Sequence, residues 1–324
     1  MTEIPVLSIC IPAYNRPLWF RRGLRSIVEE NLAYQSQVEV VITDDSDDEC
    51  CRAIAEEELG GWRWSYEHHS VPLGMAQNWN RAIALAQGRY VVVLHDDDFF
   101  VVGGVGRLVA TLERLGDQYP VLLLGVLVVD GQERVMKRQF FGQNQFLSPK
   151  EALIRLFSDS SFVRFPAIAV QRSCFEAVGL FRPEWKEPCD VEMWMRLFAV
   201  YGVYGLSEVT VAYRVHSQAL TMGAFNGGTI NLLLGLFEEL EGLGILSSEE
   251  VEVCKGLFLH QFILAGAFRQ LRRGRWQEFR QVMDLFELSE LRGLVCPKKW
   301  LLFRFGFGLL NQFLGLISFG NHQE

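Results

Sequence analysis

Three short aliphatic runs, each stopping abruptly at a polar cluster, constrain this chain more than any other feature. They are residues 6–11 (VLSICI), 38–43 (VEVVIT) and 90–94 (YVVVL). The polar clusters that follow are Pro12-Ala13-Tyr14-Asn15, Asp44-Asp45-Ser46-Asp47 and His95-Asp96-Asp97-Asp98. Continuous apolar runs this short, rich in β-branched residues, read as strands buried on both faces. Between them apolar residues recur at helical spacing over 18–30, 49–59 and 74–86, and residues 62–67 suit a further strand. Alternating strands and helices imply an α/β fold with a mostly parallel sheet covered on both faces. Ligands of such open sheets bind outside the carboxyl ends of the strands, so the three clusters are expected to share one crevice.

The later part of the chain is less regular. Residues 121–129 and 167–170 read as strands, and 189–199 as a helix with Asp190 at its start as an N-cap. Residues 229–280 look helical, with pauses at Gly242-Leu243-Gly244 and at Gly274.

Three adjacent aspartates repel one another and resist burial, so water, a helix N-terminus or a cation must compensate them. Oxygen ligands suit Mg²⁺ or Mn²⁺, and a metal held by few carboxylates usually completes its shell with substrate phosphates. The pattern therefore points to a diphosphate-bearing substrate. Neither a GxGxxG turn nor a GxxxxGK loop follows any strand, which argues against a nicotinamide enzyme or a P-loop ATPase. Residues 1–254 carry 21 Lys and Arg against 34 Asp and Glu, a balance that disfavours nucleic acid as a partner. Residues 255–304 reverse it, with ten Lys and Arg against four Asp and Glu, and could meet anionic phospholipid. The seven cysteines show no CxxC spacing, so neither a disulfide framework nor a zinc site is expected, and a reducing compartment fits. The first residues lack the pattern of a signal peptide, so a cytoplasmic protein is expected.

Several spaced motifs together resemble family 2 glycosyltransferases of the GT-A fold. SICIPAYNR, VEVVITDDSDD and PLGMAQNWNRAIALAQGRYVVVLHDDDFF resemble that family's nucleotide-binding half; AVQRSCFEAVGLF, PCDVEMWMRLF and VAYRVHSQALT resemble its acceptor half. The resemblance spans residues 6–222 in the expected order. It implies a glycosyltransferase domain over 1–222, with nucleotide-sugar binding over 1–130 and acceptor binding over 131–222, followed by a C-terminal helical region over 223–324.

The resemblance also implies roles. Pro12, Ala13 and Tyr14 would line the nucleotide base, Asp45 would hydrogen-bond it, and Asp44 would support that turn. Asn78 falls where the family has an asparagine beside the donor, although the usual small-Arg-Asn sequence is here Ala76-Gln77-Asn78. In one alignment of the acidic motif His95 takes the first acidic position, Asp96 lies near the donor ribose and Asp97 holds the metal. The literal D-x-D reading takes Asp96 and Asp98 instead. Asp190 matches the general base, with Cys189 in place of the usual preceding glutamate and Glu192 as second candidate. Arg214 and His216 fit the segment that closes over the diphosphate, His216 as a metal ligand or a donor to the leaving phosphate. Trp185 could stack on an acceptor sugar, whereas Trp62, Trp64, Trp79 and Trp194 suit the core and His68 and His69 the surface.

The implied activity is metal-dependent, inverting transfer from a nucleotide-diphosphate donor, by default a UDP-sugar, to a saccharide or lipid-linked acceptor in cell-surface polysaccharide or glycan synthesis. The rivals are a nucleotidyltransferase and a non-catalytic sugar-nucleotide binder. Residues 301–320 are long enough to span a bilayer, but Arg304, Asn311, Gln312 and several glycines weaken that reading. An interfacial helix on the cytoplasmic face of the membrane, headed by Lys298, Lys299 and Trp300, is expected there. Packing against the protein itself, or against a second copy in a homo-oligomer, is the competing expectation.

Overall fold

In the computed structural model, which describes residues 4–29, 31–216 and 225–320, strands and helices alternate as the sequence predicts. The first half runs β1 (Leu7–Ala13), α1 (Pro17–Val28), β2 (Val38–Asp44), α2 (Cys50–Glu58), β3 (Arg63–His68), α3 (Met75–Leu85) and β4 (Tyr90–Val93). Next come β5 (Phe99–Phe100), α4 (Gly104–Leu115), β6 (Val121–Val129), β7 (Val135–Gln139), β8 (Gln145–Leu147), α5 (Pro149–Ser158), β9 (Ile168–Gln171), α6 (Arg172–Val178), α7 (Cys189–Tyr201) and β10 (Val203–Arg214). The C-terminal helices are α8 (Gly227–Gly242), α9 (Ser248–Arg272), α10 (Trp276–Asp284) and α11 (Lys298–Gly320).

The described strands form one sheet whose main path is β3-β2-β1-β4-β9-β6-β10-β5, with β7 on β6 and β8 on β10. The first four strands are all parallel. Every residue of β1, β2 and β4 is buried, which is why these runs are apolar without alternation. Beyond β4 the sheet is mixed: β9 lies antiparallel to both β4 and β6, while β6 and β10 are parallel. A four-residue apolar run such as β9 carries no signal of direction or partner, so its antiparallel insertion is not readable from periodicity.

The first strand continues through Pro12 to Ala13, past the end expected at Ile11. The carbonyl of Cys10 accepts from Leu94 on the β4 side, and Pro12, two residues on, faces that same side where β4 has already stopped pairing. Its missing N–H therefore breaks no ladder bond.

The described residues of Met1–Ala152 and Val163–His216 form one compact unit; those of Leu153–Phe162 and Ser217–Glu324 form a second. In the second unit α9 begins with a capping box, Ser247 and Glu250 satisfying each other's backbone N–H. Among the described residues α9 is also the one helix long and apolar enough to cross a membrane by length and composition. Its buried Val251, Phe258, Leu259, Ile263 and Ala267 show it serving as the core helix of that unit.

Candidate active site

The first two polar clusters build two facing turns. After β1, Asn15 takes a left-handed conformation (φ 55°), which an asparagine tolerates. Its backbone N–H donates to Ser46 Oγ at 2.8 Å, and its side chain exchanges hydrogen bonds with the Asp47 carboxylate and backbone N–H. After β2, Asp44 accepts from the Ser46 backbone at 2.9 Å and from the Tyr66 hydroxyl at 2.6 Å. Asp45 accepts from the Gly74 backbone at 2.9 Å and lies 2.8 Å from His69 Nδ1. Gly74 has φ 83°, a left-handed value that glycine adopts without strain, and so can present its N–H to Asp45 at the start of α3. Pro12 and Ala13 are buried backbone beneath these turns, while Tyr14 is about half exposed. Asn78 is buried, and its Oδ1 has no partner among the described residues. His69 is not the surface residue expected: it packs between Asp45 and Glu67, and His68 Nε2 donates to the Ser46 carbonyl at 2.9 Å.

In the third cluster the three aspartates are buried, with Asp96, Asp97 and Asp98 no more than 9% exposed, and His95 is partly buried. The three are held differently. Asp96 accepts from the Tyr14 backbone at 2.8 Å and from Arg16 at 2.9 Å. Asp97 lies 3.3 Å from Arg16 and 2.8 Å from His216 Nε2. Asp98 accepts from the Arg214 backbone at 2.8 Å, yet its second oxygen is buried without a partner among the described residues. Burial and the neighbouring Asp97 charge raise the Asp96 carboxyl to about 7 and push Asp98 well above the usual range. Burial would do the same to Asp97, but the His216 hydrogen bond and the nearby His95 and Arg16 outweigh it and hold its pKa below the ordinary value. Asp97, between Arg16 and His216, is thus the member of the trio whose surroundings favour the ionised form.

His95 stacks on Phe165 at 4.1 Å and lies 5.2 Å from Trp79, within an aromatic cluster that includes Phe181 and Trp194. Burial lowers its pKa to about 4, so it is neutral at physiological pH, and its Nε2 has no partner among the described residues. Ligand atoms of His95, Asp97 and Asp98 all lie within 4.8 Å of one another.

The same aromatic cluster ties the acidic turn to α7. Trp194 meets Phe165 at 5.7 Å and follows Asp190 by one helical turn, which puts both on one face. Asp190 is not the N-cap expected: Pro188 caps the helix, and the Asp190 carboxylate accepts from the Val191 N–H at 2.7 Å. Asp190 as a residue is partly exposed, yet desolvation by the packing around its carboxyl raises its pKa to about 6. Cys189 is fully buried, its thiol pushed upward by burial. Glu192, the second candidate base, is fully buried, clamped by Arg196 at 2.6 and 2.8 Å and by Arg182 at 3.1 Å. A carboxylate so occupied is not free to take a proton. Trp185 is partly exposed in a turn before α7. Trp62, Trp79 and Trp194 are buried as expected, and Trp64 is half-buried.

Arg214, expected on the segment that closes over the diphosphate, is held within the protein. It is 3% exposed, and its guanidinium donates to the Asp97 carbonyl at 2.7 Å and to Glu133 at 2.9 Å. It braces the acidic turn from behind. Arg214→Ala should lower stability by about 1–3 kcal/mol, because the buried Asp97 carbonyl loses its charged donor. A thermal-shift measurement checks this, and an unchanged Tm would remove the bracing role. Of the closing segment VAYRVHSQALT, residues 217–221 lie outside the described residues.

Sequence reasoning missed Arg16, Tyr66 and His69. Each contacts an acidic residue 22 or more positions away, and no local pattern marks such a pairing. The one available signal was electrostatic: three buried carboxylates require a cation, and Arg16 follows a neighbouring strand.

Comparison with known proteins agrees with this fold. The chain is 24% identical to an uncharacterized glycosyltransferase of Rickettsia typhi over 268 residues, 81% of this chain and 79% of that one. It is 21% identical over 228 residues to the Campylobacter jejuni GalNAc(5)-diNAcBac-PP-undecaprenol beta-1,3-glucosyltransferase, covering 68% and 69% of the two chains. In fold it is similar to S. aureus TarS 1–349 in complex with UDP-GlcNAc (TM-score 0.62, 14% identity, 89% of this chain and 83% of that one). The Pyrobaculum calidifontis mannosyltransferase PcManGT in complex with GDP-Man and Mn²⁺ is also similar (TM-score 0.54, 14% identity, 96% and 88% covered). Residues 8–179 match glycosyl transferase family 2, and the chain is a member of that family, a glycosyltransferase with the GT-A fold.

Proposed function

We propose that this glycosyltransferase is metal-dependent and inverting, moving a sugar from a nucleotide-diphosphate donor, by default a UDP-sugar, to a saccharide or lipid-linked acceptor. The observation that carries the reading is the buried acidic turn at the carboxyl edge of the sheet, where Asp97, its pKa held below the ordinary value, sits beside atoms of Asp98 and His95 that have no partner among the described residues. That set of two oxygens and one imidazole nitrogen suits Mn²⁺ or Mg²⁺. Asp97, Asp98 and His95 would hold the ion, with His216 positioned to join through its contact with Asp97. A divalent cation there supplies positive charge against the departing diphosphate.

The chain's own residues do the rest. Tyr14, Asp44, Asp45 and Asn78 form the donor side, Asp45 presented by His69 and the Gly74 N–H, with Asp96 toward the ribose. On the acceptor side Asp190 takes the hydroxyl proton as that oxygen attacks the anomeric carbon. A new C–O bond forms, the bond to the diphosphate oxygen breaks with its electron pair, and configuration inverts. A carboxyl with a pKa of about 6 is ionised at pH 7.5 yet more basic than an ordinary aspartate, which suits a general base. We assign donor binding to 1–130, acceptor binding to 131–222 and the remaining helices to a separate C-terminal region. The complexes of TarS with UDP-GlcNAc and of PcManGT with GDP-Man and Mn²⁺ support a nucleotide sugar and a metal. The Campylobacter relative supports a lipid-linked acceptor in glycan synthesis.

Release of nucleoside diphosphate from a panel of UDP-, GDP- and dTDP-sugars tests the reading. Release should require Mn²⁺ or Mg²⁺, fall at least tenfold in EDTA and return on adding the metal back. Turnover unchanged in EDTA would defeat the metal and leave Arg16 and His216 as the positive charge. Pyrophosphate as product would indicate a nucleotidyltransferase, and donor binding without release a non-catalytic binder.

A further inference from the structure

The last helix of the second unit is turned inside out. Along α11, Trp300, Arg304, Phe307, Asn311 and Leu314 recur at helical spacing and are partly covered by the protein, as are Gly308 and Leu310 beside them. Arg304 Nη1 lies 2.6 Å from Nε2 of the fully buried His260 on α9, and its guanidinium sits 4.1 Å from the Phe286 ring. Asn311 donates to Asp284 at 2.9 Å. Two of the polar residues that argue against a spanning helix, Arg304 and Asn311, are therefore anchors holding it to α9 and the end of α10.

The opposite stripe is apolar and open. Leu302, Phe305, Leu309 and Phe313, at i, i+3, i+7 and i+11, are 83%, 67%, 53% and 60% exposed, with Leu301 and Phe303 beside them. A solvent-facing helix normally shows charge there, and a contiguous apolar face of this kind marks an interaction surface. Cations and aromatics frame it. Lys298 and Lys299 are exposed at its head, with Lys299 5.0 Å from the Trp300 ring. Phe268 of α9, half exposed, stacks on Phe307 at 6.5 Å and carries Arg272 over its own ring at 6.0 Å. Arg272, Arg273 and Arg275 are exposed next to a half-exposed Trp276, one helical turn before Phe279, which contacts Phe307.

We infer that this face lies on an anionic phospholipid bilayer, the apolar stripe entering the headgroup boundary and the surrounding Lys and Arg meeting lipid phosphate. Charge decides between occupants. A second copy of the chain would bring the same basic fringe against itself, whereas an acidic lipid surface complements it. The inference rests on the second unit alone and does not depend on the sugar-transfer reading.

Sedimentation of the full chain with phosphatidylcholine vesicles, with and without phosphatidylglycerol, tests it. Vesicles containing phosphatidylglycerol should pellet the protein at least tenfold more strongly than neutral ones, and salt should weaken the binding. Phe305→Glu/Leu309→Glu should reduce it at least tenfold, and Lys298→Glu/Lys299→Glu about fivefold or more for each residue changed. Both pairs are exposed, so an unchanged Tm shows the variants folded. Pelleting no greater than without vesicles overturns the inference. So does light scattering that shows a dimer dispersed by Phe305→Glu/Leu309→Glu with no vesicle binding.

Discussion

Asp97→Asn should abolish metal-supported donor binding and cut transfer by about 10²–10³-fold, while leaving the protein folded. The change is isosteric, and an amide can still face Arg16 and His216. What it removes is charge, and Asp97 is the member of the trio whose surroundings favour the ionised form. Asp96 and Asp98 are both pushed toward the protonated form by burial and by Asp97 itself. Asp97→Asn removes the charge that raises them, so their pKa values should fall, but neither then replaces the geometry Asp97 shares with His216. Titration calorimetry of Mn²⁺ with nucleoside diphosphate reads this directly. The wild type should bind the metal with release of protons, since the buried carboxyls must ionise to serve as ligands. Asp97→Asn should show at least a tenfold weaker signal. Asp98→Asn separates the alternatives, because an amide oxygen there still accepts from the Arg214 N–H. If Asp98→Asn eliminates metal binding and Asp97→Asn does not, Asp98 is the principal ligand.

The differences among the three aspartates show what a sequence can and cannot display. Their position was legible, because a buried strand must end where charge begins and the parallel order of β1, β2 and β4 brings their ends together. Their inequality was not. It comes from Arg16, 80 residues before Asp96, and from His216, 119 residues after Asp97. Arg214 illustrates the same limit from the other side: a motif marks it as near the site, but only packing shows that its guanidinium is committed to the Asp97 carbonyl and Glu133. Helix boundaries in the C-terminal region followed their glycine pauses closely, because a helix end is a local event. The orientation of α11 was hidden in a largely apolar sequence with few polar residues to mark a face. His260 and Asp284 fix which side faces in, and both lie on other helices.

Asp190→Asn should separate catalysis from stability with opposite signs. As general base the carboxylate is worth about 10²–10⁴ in rate, so transfer should fall by that factor while donor and metal affinity stay within about twofold. The wild-type rate should fall about tenfold per pH unit below about pH 6, following loss of the ionised form, and the variant's residual rate should lack that limb. Stability moves the other way. The folded pKa is raised from 3.8 to about 6, so the native state binds this proton more tightly than the unfolded chain. That contribution is fully present below about pH 4 and is lost as the pH rises through 6, where the folded protein must carry a poorly solvated charge. An uncharged asparagine escapes the penalty. Because Asp190 as a residue is partly exposed, the gain should be about 1–2 kcal/mol at pH 7.5 and near zero at pH 4. Thermal unfolding of both proteins at the two pH values measures it, alongside transfer assays from pH 5 to 8. A variant that is inactive, more stable at pH 7.5 and equal to the wild type at pH 4 is the expected result. Full retained turnover would dismiss Asp190 as the base, and loss of stability at pH 7.5 would show that its carboxylate is a structural anchor instead.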